Sequence, residues 1–537
     1  MKPEISPVRK SDGGKNMVQK TKISNGVNRR EFIKAAGMGA ASLVIVARPS
    51  WPCIHGLEAR ATRAHPDKPN IVFIMADDLG YGDISCYNKE SKISTPNVDV
   101  LASQGVRFTD AHSPSAVCSP TRYGVLTGRY CWRTRLKRNV LSGFSRPLIS
   151  REQMTVAELL KKHSYATACI GKWHLGVGWQ SKDGGAINSS KDANRVDFNK
   201  PILDGPNEHG FDYSFITAAC STVDPPYVFI EDGKCTAEPT ATMARKGPVT
   251  TTGSRPGPMV PGWSNENVDP TYIEKTREFL ERYKDTDDNS PFFIYLALSA
   301  PHAPWLPPDF IKGRSKTGPR GDLVVLVDWC VGQVLDTLDR LKLTNDTLVI
   351  FTSDNGPRIG KKGHKSAGNW RGYKSHIWEG GHREPFIARW PGRIKPDTTC
   401  DELICLTDLT ATCAAIVGTS LPKNAGQDSY NILPALLGKK LDKPIREAIV
   451  HHSCFGVFSI RQGRWKLIQG TKGSGGWVEP GGGGPKPGSP GQLYNLANDP
   501  YEENDLWDKL PEQVERLTKL LEKYKKQGYS RAKDQQR

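Results

Sequence analysis

The chain has no run of 18 or more apolar residues, which excludes a membrane-spanning helix from its reading. Its 12 cysteines include no C-x-x-C pair, which argues against structural zinc. Zinc-finger spacing and RNA-binding aromatic signatures are also missing, so only the net charge of +17 hints at nucleic acid. That hint is weak, because the first 61 residues hold 11 Lys/Arg against 4 Asp/Glu and the remaining charge is dispersed over a solvated surface. A modest basic surplus still suits anionic partners, acidic or sulfated polysaccharides among them. No internal repeat is present, which removes solenoids. At 537 residues, 37% of them hydrophobic, there is material for a large core and two or three domains.

What is present begins with Asn28-Arg29-Arg30-Glu31-Phe32-Ile33-Lys34, followed by a weakly apolar Ala- and Gly-rich run to Ala47. Twin arginines before such a run resemble a bacterial Tat export signal, so residues 1–61 are expected to be removed and the mature protein to be periplasmic or secreted. Cys53 leaves with that segment. The other cysteines are uninformative about bridges, because such cargo folds in a reducing cytosol first.

Continuously apolar segments then alternate with helical patterns. Asn70–Ala76, Tyr165–Ile170, Phe292–Leu298 and Leu348–Thr352 read as strands covered on both faces. Helices are expected at Thr155–Lys162, Thr271–Tyr283 and Leu323–Leu341. This alternation predicts an α/β fold with a doubly wound sheet, whose functional groups gather at the carboxyl ends of the strands. Those ends carry Asp77-Asp78, Lys172 and His174, His302, and Asp354-Asn355. Residues 176–270 show little periodicity and read as long surface loops. Beyond about residue 440 the texture becomes short alternating runs, a glycine-proline stretch and a final helix, Pro511–Lys526. The expected organisation is an export signal at 1–61, a catalytic domain at 62–440, and a C-terminal subdomain at 441–537 built of an antiparallel sheet and one helix.

Asp77, Asp78, Asp354 and Asn355 suit a hard cation such as Ca²⁺ better than zinc, although either pair alone also fits a cap or an Asx-turn. Two pairs at matching strand ends favour the metal. Lys172 and His174 alternate on an extended segment and can face one side. His302, between prolines, is rigidly placed as a general acid or as a structural loop residue. Lys374 lies in a glycine-rich charged loop that holds an anion or simply turns. In Cys118-Ser119-Pro120-Thr121-Arg122 a helix is expected to begin at Cys118, because Pro120 fits its first turn, and Arg122 falls one turn along; this suits a tetrahedral oxyanion, the alternative being an ordinary buried cysteine.

Ala116 to Arg122 through Thr127-Gly128, together with Gln492–Leu496 and Asp499-Pro500, resemble the formylglycine-dependent sulfatases of the arylsulfatase type, in the alkaline-phosphatase-like superfamily. The likeness runs from about residue 68 to 510. It implies a large mixed sheet, conversion of Cys118 to Cα-formylglycine by a maturation enzyme, and one Ca²⁺ held by Asp77, Asp78, Asp354, Asn355 and residue 118. It further implies that Arg122, Lys172 and Lys374 neutralise the sulfuryl oxygens, that His302 protonates the departing alcohol, and that His174 assists release of sulfate. Two positions depart from the family pattern. Ser164 stands where a glycine is usual, and Glu384 before Pro385 replaces a small or apolar residue and is expected to reshape the rim near Lys374. The expected activity is hydrolysis of a sulfated carbohydrate or an aryl sulfate. The alternatives are a phosphonate monoester or phosphodiester hydrolase of the same superfamily, and a non-catalytic binder of sulfated polysaccharide. Neither nucleic-acid binding nor stable membrane insertion is expected.

Overall fold

Every residue of the strand Asn70–Ala76 is buried, and its side chains part alternately into two cores. Ile71, Phe73 and Met75 enter one, with helices Cys118–Thr127, Val156–Lys161 and Leu409–Ile416. Val72, Ile74 and Ala76 enter the other, with helices Pro96–Ser103, Val268–Asp285 and Pro319–Arg340. Period-two alternation on a sheet covered on both sides explains why the segment reads as one apolar run. Each large apolar side chain so buried contributes about 1.5–3 kcal/mol relative to exposure. This computed structural model describes residues 68–531, apart from 246, 249, 250, 286–289, 361, 362 and 478–487. The twin-arginine segment, the proposed cleavage region and Cys53 lie outside the described residues.

Among the described residues the main sheet has ten strands. At its centre Thr347–Ser353, Asn70–Ala76, Phe292–Ala297, Ala166–Lys172 and Tyr213–Thr217 run side by side, all parallel. Phe386–Arg389 extends it antiparallel on one side, and Val106–Phe108, antiparallel to Phe386–Arg389, resumes the direction of the central strands. Helices on both faces of a mixed sheet are the doubly wound architecture expected. A second sheet of four antiparallel strands, Ile449–His452, Phe458–Gln462, Trp465–Gln469 and Gly491–Asn495, follows in chain order. Helix Pro511–Gln527 buries Leu517, Leu521 and Tyr524 in one cluster with Ile460, Leu467 and Leu493 of that sheet.

The stretch 176–270 is not merely surface loop. It contributes the central-sheet strand Tyr213–Thr217, buried throughout, and buries Trp179, Ile202 and Phe211. Among the described residues no helix is long and apolar enough to cross a membrane.

Candidate active site

Pairing of Ala76 with Ser353 sets two acidic strand tips side by side, Asp77-Asp78 and Asp354-Asn355, and all four residues are fully buried. Asp78 turns the chain out of its strand with φ +66. Its amide donates to Asp354 Oδ1 at 3.2 Å, and Asn355 Nδ2 donates to Asp78 Oδ1 at 2.7 Å. Asp78 Oδ2 and Asn355 Oδ1 remain buried without a hydrogen-bond partner. Leaving such an acceptor dry costs about 1–3 kcal/mol, more when it is charged. Three carboxylates and an amide oxygen, two of their oxygens unpartnered, fit a hard divalent cation.

Cys118 is the first residue of helix Cys118–Thr127, which Val117 enters without a side-chain cap and Gly128 ends with φ +63. Residue 118 therefore sits at the positive end of a helix. Its Sγ lies 3.7 Å from Asp77 Oδ1 and 3.4 Å from Lys374 Nζ. One turn on, Arg122 NH2 reaches Asp354 Oδ2 at 2.7 Å and Asp77 Oδ2 at 3.7 Å, while NH1 donates to the carbonyl of Lys172 at 3.0 Å. Lys172 pairs with Asp77, and Lys374 Nζ lies 2.6 Å from Asp78 Oδ1. Burial raises the Asp77 carboxyl, but Lys172, His302, Arg122 and Lys374 outweigh it and hold the group well below its usual range. Burial likewise opposes the charge on Lys374, but Asp78, Cys118 and Asp77 together outweigh it and raise the ammonium above its usual range.

His302 follows the neighbouring strand Phe292–Ala297, between two cis prolyl bonds, Ala300–Pro301 and Ala303–Pro304. Its Nδ1 is engaged by the carbonyl of Ala303, and Nε2 lies 3.7 Å from Asp78 Oδ2. His174 arrives differently from the expectation. The strand ends at Lys172 and His174 is left-handed with φ +55, so alternation along an extended segment does not set the two side chains together. The turn does so instead. With Nε2 on the carbonyl of Leu141 at 2.7 Å, Nδ1 faces inward, and burial together with Lys172 keeps the imidazole neutral. The ten residues singled out at the strand ends, the helix start and Lys374 thus share one buried cluster. Three of them or their neighbours, Asp78, His174 and Ser375, hold positive φ without being glycine, the kind of backbone strain that collects at functional sites.

Glu384 does not shape a rim. It is fully buried, accepts from Ser113 Oγ at 3.2 Å and leaves Oε2 unpartnered; burial, with Asp354 nearby, raises its carboxyl well above the usual range. Ser164, the other departure, preserves the left-handed turn expected of glycine, with φ +66.

Two residues of the site gave no sequence signal. Arg320, buried at the start of helix Pro319–Arg340, donates to the carbonyl of Asp78 at 3.1 Å and to both oxygens of Asp83, at 2.9 and 2.7 Å. It therefore holds the loop that carries the first acidic tip. Cys220, just beyond strand Tyr213–Thr217, lies 3.8 Å from both His174 Nδ1 and His302 Nε2. A cavity of about 420 Å³ opens onto Cys118, Cys220, His302 and Lys374, with Arg255, Arg358 and Trp477 on its more exposed walls. An enclosed group of hard oxygen donors, a residue at a helix start and three cations suits a tetrahedral dianion, with the two imidazoles available for proton transfer.

Residues 69–419 match the family described as Sulfatase. Over 503 residues the chain is 36% identical to N-acetylgalactosamine-6-O-sulfatase of Bacteroides thetaiotaomicron, covering 85% of this chain and 93% of that one. It is 34% identical over 484 residues to Arylsulfatase A of Bos taurus, covering 86% and 87%. A solved Bacteroides thetaiotaomicron protein, described under the metabolism of multiple glycosaminoglycans, superposes with a TM-score of 0.74 at 34% identity, covering 86% of this chain and 100% of that one.

Proposed function

The chain belongs to the sulfatase family, and on that premise we propose that it hydrolyses the sulfate ester of a carbohydrate through a formylglycine made from Cys118. The observation that carries this reading is the single buried cluster in which residue 118 meets Asp77, Lys374 and the Arg122–Lys172 pair. Asp77, Asp78, Asp354 and Asn355 would hold Ca²⁺, their two unpartnered oxygens supporting the assignment. When bound, the ion supplies positive charge that polarises the sulfate and acidifies a neighbouring hydroxyl.

The hydrated aldehyde of residue 118 offers two hydroxyls, one to attack sulfur and one to expel sulfate afterwards. An unconverted thiol lacks the second. Arg122, Lys172 and Lys374 stabilise the sulfuryl oxygens as charge shifts onto them. His302 delivers a proton from Nε2 to the departing alcohol oxygen, and neutral His174 accepts at Nδ1 the proton of the second hydroxyl. Residues 1–61 serve as an export signal, 62–440 as the catalytic domain, and 441–537 as a subdomain whose His452 carbonyl accepts from the amide of Ala116 at 3.1 Å, steadying the approach to residue 118.

N-acetylgalactosamine 6-sulfate is the first substrate to try, on the strength of the relative named above. The test pairs mass spectrometry of the peptide carrying position 118 with turnover of sulfate esters. An aldehyde at 118, and loss of turnover without loss of fold in Cys118→Ala, are expected. A native protein that keeps its thiol, or a Cys118→Ala variant with near-normal rate, overturns the reading. Faster cleavage of p-nitrophenyl phosphonate esters than of p-nitrophenyl sulfate transfers the assignment to phosphonate hydrolysis.

A further inference from the structure

Cys220 belongs to none of the roles above, yet it lines the pocket beside both imidazoles. It lies on the irregular segment after strand Tyr213–Thr217, 4% exposed, and lines the same cavity as Cys118. The sulfurs of Cys118 and Cys220 and a ring nitrogen of His174 all lie within 4.8 Å of one another. Cys118 Sγ also contacts Asp77 Oδ1 at 3.7 Å and Lys374 Nζ at 3.4 Å. Both cysteines are free.

A disulfide needs the sulfurs at about 2.05 Å, so the remaining gap calls for side-chain rotation and a small adjustment of backbone. Both positions lie at or beyond the ends of regular elements. Cys118 begins its helix, and residues 218–220 belong to no strand ladder or helix. Two imidazoles stand beside Cys220, with His174 Nδ1 and His302 Nε2 each 3.8 Å from its sulfur.

We propose that Cys118 and Cys220 form a redox pair, closing a disulfide in any chain whose residue 118 is still a thiol when it meets an oxidising medium. The step balances with a small disulfide as oxidant. The thiolate of one cysteine attacks the oxidant's sulfur and releases one small thiol; the second cysteine then displaces the other, leaving Cys118–Cys220 and two reduced small thiols. A chain carrying an aldehyde at 118 has no partner for Cys220 and stays open. The disulfide therefore seals molecules that missed conversion, and it blocks later conversion because the maturation chemistry needs a free Cys118. The pairing itself depends only on the two thiols, so it can hold or fail independently of the proposed sulfatase mechanism.

The experiment uses the full chain produced without conversion of Cys118 and exposed to oxidised glutathione. Peptide mass spectrometry under non-reducing conditions is expected to find the peptides containing residues 118 and 220 joined, two hydrogens lighter than their sum and separated again by reductant. Cys220→Ser and Cys220→Ala are each expected to lose that species, and converted protein never to form it. Separate alkylation of both thiols after oxidation, glutathione adducts on either cysteine alone, or cross-links to other cysteines would each overturn the pairing.

Discussion

His302 keeps Nδ1 on the Ala303 carbonyl, which leaves Nε2 as the only ring atom able to serve the departing oxygen. Its contribution should therefore scale with how badly the leaving group needs a proton. His302→Ala is expected to lower kcat on an alkyl sugar sulfate by about 10²–10⁴-fold, and to cost far less on p-nitrophenyl sulfate, whose phenolate leaves unaided. Comparing the two ratios checks the assignment; equal losses would show that His302 only shapes the pocket. A second expectation concerns the acidic tips. With Asp78 Oδ2 and Asn355 Oδ1 unpartnered, a bound ion adds to folding stability by mass action, about 2.7 kcal/mol at a hundred times its Kd. Dialysis against a chelator should lower both Tm and turnover. Ca²⁺ should restore them better than Zn²⁺, since all four donors are oxygens. Unchanged Tm after chelation would remove the metal from this cluster.

At the scale of single elements, helix Cys118–Thr127 is positioned by its exit as much as by its entry. Gly128 holds φ +63, and a Cβ there would meet Ser429 Cβ at 2.8 Å and Gly426 Cα at 2.9 Å. Gly128→Ala should thus cost more than the 1–2 kcal/mol of left-handed backbone alone. Ser164 is the converse case, exposed and left-handed, so Ser164→Gly should stabilise by about 0.5–1 kcal/mol. Paired denaturant melts of the two variants test both signs. The same local physics governs what was legible in the sequence. Asn70–Ala76, Phe292–Ala297 and Thr347–Ser353 are wholly buried, so their apolar runs stood out, and with them the residues at their ends. Tyr213–Thr217 is equally buried, yet its sequence reads as loop. Its polar members are satisfied internally, Ser214 Oγ on Asn207 Oδ1 at 2.6 Å and Thr217 Oγ1 on Ser221 Oγ at 2.7 Å, and such tertiary partners leave no periodic trace. Cys220, one turn beyond, was hidden with it. Arg320 was hidden for a related reason: its partners, Asp78 and Asp83, lie more than two hundred residues away.

At the scale of the molecule, the large sheet's side and the small sheet meet through three buried histidines. His112 Nδ1 lies 3.0 Å from His382 Nδ1, and the ring of His451, from the small sheet, stacks on His382 with centroids 3.8 Å apart. Around them stand Asp110, 2.9 Å from His112, Arg461 at 3.3 Å, Glu379, Arg383, and Lys466, which is 3.1 Å from His382 and 2.8 Å from Glu502. The carboxylates favour imidazolium, but burial outweighs them and lowers His112 to about 4, with His382 and His451 well below their ordinary range. The unfolded chain binds these protons near the ordinary value of 6.5, and the folded chain refuses them. Stability from the cluster is therefore complete above pH 6.5 and is lost as pH falls toward 4. Each histidine in that window removes about 1.4 kcal/mol per pH unit, so His112 alone accounts for something on the order of 3 kcal/mol. Unfolding free energies at pH 7, 5.5 and 4.5 (the last two inside the window) should fall less steeply in His112→Asn, which stays neutral and polar, than in the parent chain. Parallel slopes would place the acid sensitivity elsewhere, among carboxylates such as Glu379 whose ionised form the fold prefers.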